Sequence, residues 1–238
     1  YFITGTNHFW NNATVFWQIN NKEQIQCAKL MLYDRFTGKR IKEPYNHINW
    51  LHKATKEPDF NLCQCLFGLH RINEDYQKTI AIVESEKTAI VMSIFLPEFI
   101  WLATGSKGNF KFELLKPLKT RNIIAFPDKG EYNNWLQKSI ELNTIGFKIL
   151  VSEILEQTNF ENGFDLADYY FINFDLELEF EFSTGKILNE EIKNKIKSLD
   201  EYNNIKINNE KENINVIDFE NGIFIGGNEE NIYEFSHG

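Results

Sequence analysis

"IAIVESEKTA", residues 80–89, is the stretch on which the fold turns. An apolar run, three of its four residues β-branched, stops abruptly at Glu84-Ser85-Glu86-Lys87, and a helix-forming pattern follows at once. Apolar residues at every position, rather than every second one, mark a strand buried on both faces. The same grammar recurs downstream. A helix is expected from Glu86 to Phe95, then a strand "FIWLAT" (99–104), a glycine turn "GSKG" (105–108) and a short helix "FKFELLKPL" (110–118). A strand "RNIIAF" (121–126) leads through "PDKG" to a helix from about Glu131 to Leu142, and "FKILVS" (147–152) is a fourth strand. The β-α-β-α-β-α-β order predicts an α/β fold with a four-stranded parallel sheet covered by helices.

Working outward, residues 1–77 read as mainly β. "TVFWQIN" (14–20) and "AKLMLYD" (28–34) are strand-like, and Gly38 in "DRFTGKRI" supplies a tight bend. The stretch 38–53 interleaves Lys39, Arg40 and Lys42 with Tyr45, His47 and Trp50, a mixture that suits phosphate contact plus base stacking. A solvated hairpin with a few packed aromatics explains it as well. Residues 78–172 form the α/β region, and residues 173–238 a small acidic α+β extension. In the extension, "FDLELEFEF" (174–182) alternates as a strand with one wet face and residues 188–202 pattern as an amphipathic helix. The remainder is Asn-rich with short strand-like pieces. No internal repeat stands out.

The formal charge of −9 is unevenly spread: residues 1–122 carry +5 and residues 123–238 carry −14. A basic half can bind nucleic acid inside an acidic chain. No apolar run reaches the roughly 18 residues of a membrane span, because Pro97-Glu98 interrupts residues 89–103. The opening "YFITGTNHFW" does not read as a signal peptide, and a start at Tyr1 reads as a piece of a longer chain. Cys27, Cys63 and Cys65 give no disulfide framework and point to a reducing, cytoplasmic setting. Strand alternation puts Cys63 and Cys65 on one face. Buried thiols are the expected reading, with zinc held by these two plus His47, His52 or His70 as the alternative.

Ligands of open parallel sheets sit beyond the carboxyl ends of the strands. There the sequence offers Glu84, then Thr104 to Gly108, then Asp128-Lys129-Gly130-Glu131, and, beyond the fourth strand, "GFDLADYY" with Asp165 and Asp168. Converging carboxylates from separate loops are what Mg²⁺ needs when water and phosphate complete its shell. Glu84, on a rigid strand end, is thus expected to hold a metal or move a proton. Glu86 reads as a complement to the helix dipole, and helix capping competes for Asp165 and Asp168.

Four pieces in this order, "IAIVESEKTAIV", "FIWLATGSKG", "RNIIAFPDKGEYNNW" and "GFDLADYY", resemble the Toprim domain of bacterial-type primases, topoisomerases and small nucleases. Residues 1–77 look like the lead-in region of primase-like proteins of phages and mobile elements. The resemblance implies a Toprim-like (Rossmann-like) sheet and Mg²⁺- or Mn²⁺-dependent chemistry on nucleic acid, DNA before RNA, with primase-like nucleotidyl transfer the leading reaction. It also implies a replicative helicase as a partner. Glu84 matches the motif glutamate, a metal ligand or general acid/base, and Asp128 the aspartate turn, making these two the implied catalytic pair. Glu131, Asp165 and Asp168 join them as implied metal ligands. Lys87, Lys107 and Lys129 are implied phosphate contacts, alongside Lys39, Arg40 and Lys42 on the template.

The sequence departs from the pattern in one place. The family turn has two aspartates one residue apart, and here Asp128 stands alone, with Glu131 the nearest substitute. That departure favours a catalytically silent nucleic-acid-binding module as the rival reading. A small Toprim-type endonuclease would use the same acids. Primases of this kind carry a zinc ribbon ahead of this region, and the sequence holds no C-x₂-C pair.

Overall fold

The computed structural model describes residues 1–173, together with two strands at 215–218 and 223–226. The chain divides into two compact units, Tyr1–Ala167 and Asp168–Gly238.

The first unit holds two sheets. The N-terminal sheet is antiparallel, in the order β1 (Ile3–Thr6), β2 (Ala13–Ile19), β3 (Ile25–Met31) and β4 (Ile48–Trp50), and runs straight into a one-turn helix α1 (Leu51–Ala54). The strands β2 and β3 were legible as apolar runs. The loop between β3 and β4 is pinned by Asp34, whose Oδ1 accepts the Thr37 amide at 2.7 Å, and by Gly38 at φ +63°. That is the tight bend the sequence calls for.

The second sheet is parallel. It contains β5 (Ile80–Val83), β6 (Ile100–Ala103), β7 (Asn122–Ala125) and β8 (Lys148–Val151), in the spatial order β6-β5-β7-β8. All eight residues of β5 and β6 are buried, as fully apolar runs require. Helix α2 (Glu86–Phe95) follows β5 within the expected bounds, and Pro97 forbids its continuation. Helix α3 (Phe112–Leu115) is a single turn prolonged by a 3₁₀ segment, because Pro117 cannot donate to a regular ladder. Helix α4 (Tyr132–Thr144) packs Trp135 flat on Phe110, with ring centroids 4.3 Å apart.

Three long-range devices hold the first unit together. Phe67 and Ala103 exchange both backbone hydrogen bonds, at 2.9 and 3.1 Å, which caps the outer edge of β6 with a residue from the N-terminal region. Buried Arg121 donates to the carbonyls of Ile72, Asp75 and Lys78 at 2.7–2.8 Å, and so fixes the connection into β5. Lys29 of β3 reaches Glu86 at the start of α2, 3.1 Å from each carboxylate oxygen, and donates a third bond to the Gly105 carbonyl at 2.8 Å. Lys29 and Glu86 are both buried, at 8% and 1% side-chain exposure.

Glu86 is therefore more than a helix-dipole complement, since it is half of a buried ion pair. Gly105 sits against that pair at φ +76°, where an added Cβ would stand 3.0 Å from Glu86 Oε1. Only glycine tolerates both the dihedral and the approach.

Sequence and structure differ at the cysteines. Residues 61–66 form no strand, so alternation does not apply: Cys65 is buried and Cys63 exposed. Burial pushes the Cys27 and Cys65 thiols up to about 12. Among the described residues no three His, Cys, Asp or Glu side chains are grouped to hold a metal ion, so the zinc alternative has no site there. Of the second unit, β9 (Asn215–Asp218) and β10 (Ile223–Gly226) pair antiparallel. The strand expected over 174–182 and the helix over 188–202 lie outside the described residues.

Removing one member of a buried ion pair strands its partner, at a cost of about 3–5 kcal/mol, whereas replacing both with apolar groups of like size is far milder. Lys29→Met should therefore lower the urea midpoint sharply, and Lys29→Met with Glu86→Leu should recover most of the loss. Equal losses in the single and double variants would show that the pair does not hold the sheets together.

Candidate functional site

Glu84 is the first residue beyond β5, the strand that lies between β6 and β7. The backbone holds it there from both sides. Thr104 N–H donates to Val83 O at 3.0 Å and Gly105 N–H to Glu84 O at 2.8 Å, which stitches the loop after β6 to the strand end. Phe126 N–H donates to Ile82 O at 2.8 Å, bringing in the loop after β7. Three loops thus meet around one carboxylate.

That carboxylate is unusual. Glu84 Oε1 is buried and has no hydrogen-bond partner. Burial, reinforced by the Glu131 carboxylate and opposed by Lys107, raises the Glu84 carboxyl to about 7. With its carboxyl near 7 and one buried oxygen unpartnered, Glu84 is divided between protonated and ionised forms at neutral pH, and an arriving cation would favour the ionised one.

Glu131 is the N-cap residue of α4 and the opposite case. Its Oε1 lies 2.7 Å from Lys107 Nζ and its Oε2 accepts a 2.7 Å bond from Asn134 Nδ2. The Lys107 bond, then that of Asn134, holds its carboxyl below the ordinary glutamate value. The two acids are therefore split, one poised to be neutral and one fixed as an anion.

The other expected residues fall in several places. Asp128 is half-buried in the turn after β7, and its carbonyl accepts the Glu131 N–H at 3.0 Å. Gly130 closes that turn at φ +91°, where a Cβ would meet the Asn162 side chain at 3.0 Å. Asp165 is buried, just ahead of the helical residues 166–173, and its Oδ2 accepts a 2.9 Å bond from the buried Thr88 hydroxyl on α2. Asp168 opens the second compact unit.

Lys129 turns toward the protein, donating to the carbonyls of Leu155, Glu156 and Thr158, so it clamps the segment after β8. Lys87 is half-buried on α2. Lys39, Arg40 and Lys42 are exposed on the loop between β3 and β4.

The donor set fits one mode of cation binding and not another. No protein cage exists among the described residues. A magnesium-type ion held by one or two carboxylates, with water and phosphate completing its shell, asks for few protein ligands; Glu84 offers one unpartnered oxygen, while both Glu131 oxygens already carry hydrogen bonds. The partnerless buried oxygen of Glu84 is the feature that matches such a ligand.

Beside this edge lies a cavity of about 410 Å³ between the N-terminal sheet and the loop after β6. Gln18, Lys29, Asn49, Trp50, Lys53 and Asn109 contribute to its wall, and no carboxylate lines it. Sequence reading missed this cleft, because its residues come from five separated segments. Only Trp50, among cations in 38–53, carried a hint.

The family described as a domain of unknown function, DUF6371, matches residues 1–129, more than half of the chain. The chain belongs to that family. The match takes in the N-terminal sheet, β5 with Glu84, β6, β7 and Asp128. No curated protein matches the sequence significantly.

Among solved structures, the RNA polymerase domain of Mycobacterium tuberculosis primase DnaG is similar at 14% identity and a TM-score of 0.45, covering 74% of this chain and 58% of that one. The primase fragment of the bacteriophage T7 primase-helicase protein is similar at 15% identity and a TM-score of 0.46, covering 74% and 64%. A DnaG primase catalytic domain bound to single-stranded DNA is similar at 13% identity and a TM-score of 0.44, covering 74% and 55%. The chain spans less than two thirds of each. Among the described residues no helix is long and apolar enough to cross a membrane.

Glu84 gives stability a pH signature. Its folded carboxyl titrates near 7 against 4.5 for an ordinary glutamate. Between those values the folded chain keeps a proton that the unfolded chain has lost, so stability falls as pH rises through the window. In chelator, Glu84→Gln should have nearly the wild-type Tm at pH 5 and a higher Tm at pH 8. Parallel Tm profiles for the two proteins would contradict the raised value.

Proposed function

We propose that this protein is a primase-like, Toprim-type nucleic-acid-processing enzyme, catalysing Mg²⁺- or Mn²⁺-dependent nucleotidyl transfer on DNA. The observation that carries the reading is Glu84, a carboxylate at the end of β5 with a buried, partnerless oxygen, beside Glu131 and Lys107. The ordered motif resemblance supports the same reaction class and suggests phage or mobile-element replication as the setting, with a replicative helicase as partner. In this role the cation would rest on Glu84 and Glu131, with Asp128 nearby in the turn, and would neutralise the phosphate charge that builds during transfer.

The chain's own groups account for the rest. In primer extension the 3′-hydroxyl oxygen bonds to the α-phosphorus while the bond to pyrophosphate breaks. A cation on Glu84 lowers that carboxyl's affinity for a proton, so the hydroxyl proton passes to solvent water. Lys87 and Lys107 supply cations for phosphate oxygens, while Lys39, Arg40 and Lys42, on the exposed loop, guide the template strand. Lys129 takes a smaller part than the sequence suggests, because its ammonium donors already serve three carbonyls.

A second reading, a nucleic-acid-binding module without catalysis, draws on the single aspartate of the Asp128 turn. The two separate in one set of assays. Glu84→Gln should lower primer synthesis on a single-stranded template by at least about 100-fold, the usual scale for loss of a group that stabilises transition-state charge, without unfolding the chain. Retained synthesis in that variant would sink the assignment. Absent synthesis in wild type, with single-strand binding unaffected by chelator and steeply salt-dependent, would favour the binding module. Nicking of supercoiled plasmid would indicate an endonuclease.

A further inference from the structure

The loop after β6 and the start of α4, which follows β7, lie on opposite sides of the end of β5, because β5 is between β6 and β7 in the sheet. Lys107 and Glu131 bridge that gap at 2.7 Å, so a salt bridge crosses the strand end that carries Glu84. Both oxygens of Glu131 are thereby engaged, Oε1 by Lys107 and Oε2 by Asn134. Lys107 also interacts electrostatically with Glu84.

The two ends of the bridge differ in freedom. Glu131 is only 16% exposed, whereas the Lys107 side chain is 68% exposed on a flexible four-carbon stem. A lysine so placed can leave without disturbing the core, and an exposed pair is easily broken.

We propose that Lys107 is the internal cation of this site: its ammonium occupies the Glu131 oxygen that a divalent ion needs, and ion binding displaces it. The idea rests on the metal-binding reading of Glu84 and Glu131 and adds a regulation to it. With no divalent ion, the lysine neutralises Glu131 and keeps it aligned over the strand end. When the ion arrives, Glu131 exchanges one positive partner for another, and the freed ammonium, still tethered to the loop after β6, is available to a phosphate oxygen. Lys107 is thus a competitor of the metal and a candidate phosphate ligand in turn, and free chain binds divalent ions more weakly than its carboxylates alone would.

Titration calorimetry of the full chain with Mn²⁺, without nucleic acid, tests this. Lys107→Met should tighten Mn²⁺ binding by up to about fivefold, the scale of an exposed pair, and Lys107→Arg, which keeps a cation on Glu131, should stay near wild type. A second readout is the acetylation rate of Lys107, followed by mass spectrometry. It should rise when Mn²⁺ is added to wild type and stay flat when Mn²⁺ is added to Glu84→Gln. Equal or weaker binding in Lys107→Met overturns the competition while leaving the metal site standing. No Mn²⁺ binding in any of these proteins overturns the metal site and the displacement together.

Discussion

The contact between Lys29 and Glu86 is the constraint on which the rest of the arrangement depends. It joins an antiparallel sheet to the first helix of a parallel one across 57 residues of chain. Two buried charges are tolerable only as partners with their remaining valences filled, and here the Gly105 carbonyl fills the third ammonium position. The same contact dictates a glycine in the loop after β6, because a side chain at 105 would push into Glu86. That loop carries Thr104 and Gly105, whose amides tie it to the end of β5, and two residues later Lys107. The position of the candidate site edge thus follows from a charge pair outside it.

Around Glu84, burial and the Glu131 carboxylate act together, and the Lys107 ammonium acts against them. The central strand of a parallel sheet ends in a crowded, poorly hydrated place, which disfavours an anion. The neighbouring loops then supply one further anion and one cation, Glu131 and Lys107. Glu131 is satisfied at both oxygens, while Glu84 keeps one oxygen with no partner. Such an imbalance is costly in a purely structural role. It is useful where an external cation or a reacting proton completes the set.

The parallel sheet was legible in the sequence because its signal is local. Strands buried on both faces must be apolar throughout, so "IAIV" and "IWLA" announced themselves, and Pro97 marked the end of α2 within a residue. The position of Glu84 at a strand end followed directly. What the sequence could not reveal is long-range pairing. Nothing near Lys29 distinguishes it from the exposed lysines around it until Glu86 is placed against it, and Gln18 looks like any strand glutamine until its Oε1 is seen to accept bonds from Cys27 Sγ and the Cys65 amide. The partners of Lys129 are illegible for the same reason: they are backbone carbonyls 26 to 29 residues away, which leave no trace in residue type. At Cys63 and Cys65 the error lay in assuming a strand, since two-residue alternation has meaning only within one.

The edge contact between Phe67 and Ala103 has a consequence for how the chain is made. The N-terminal sheet precedes the parallel one in the chain, and Lys29 gains its counter-charge Glu86 only once α2 has been made. The parallel sheet that follows begins with β5 and β6, and the outer rim of β6 is closed only by a residue synthesised 36 positions earlier. Neither half is a finished object during translation. Phe67 precedes β6 in the chain, so the residue that covers the outer edge of Ile-Trp-Leu-Ala is synthesised before the strand it covers.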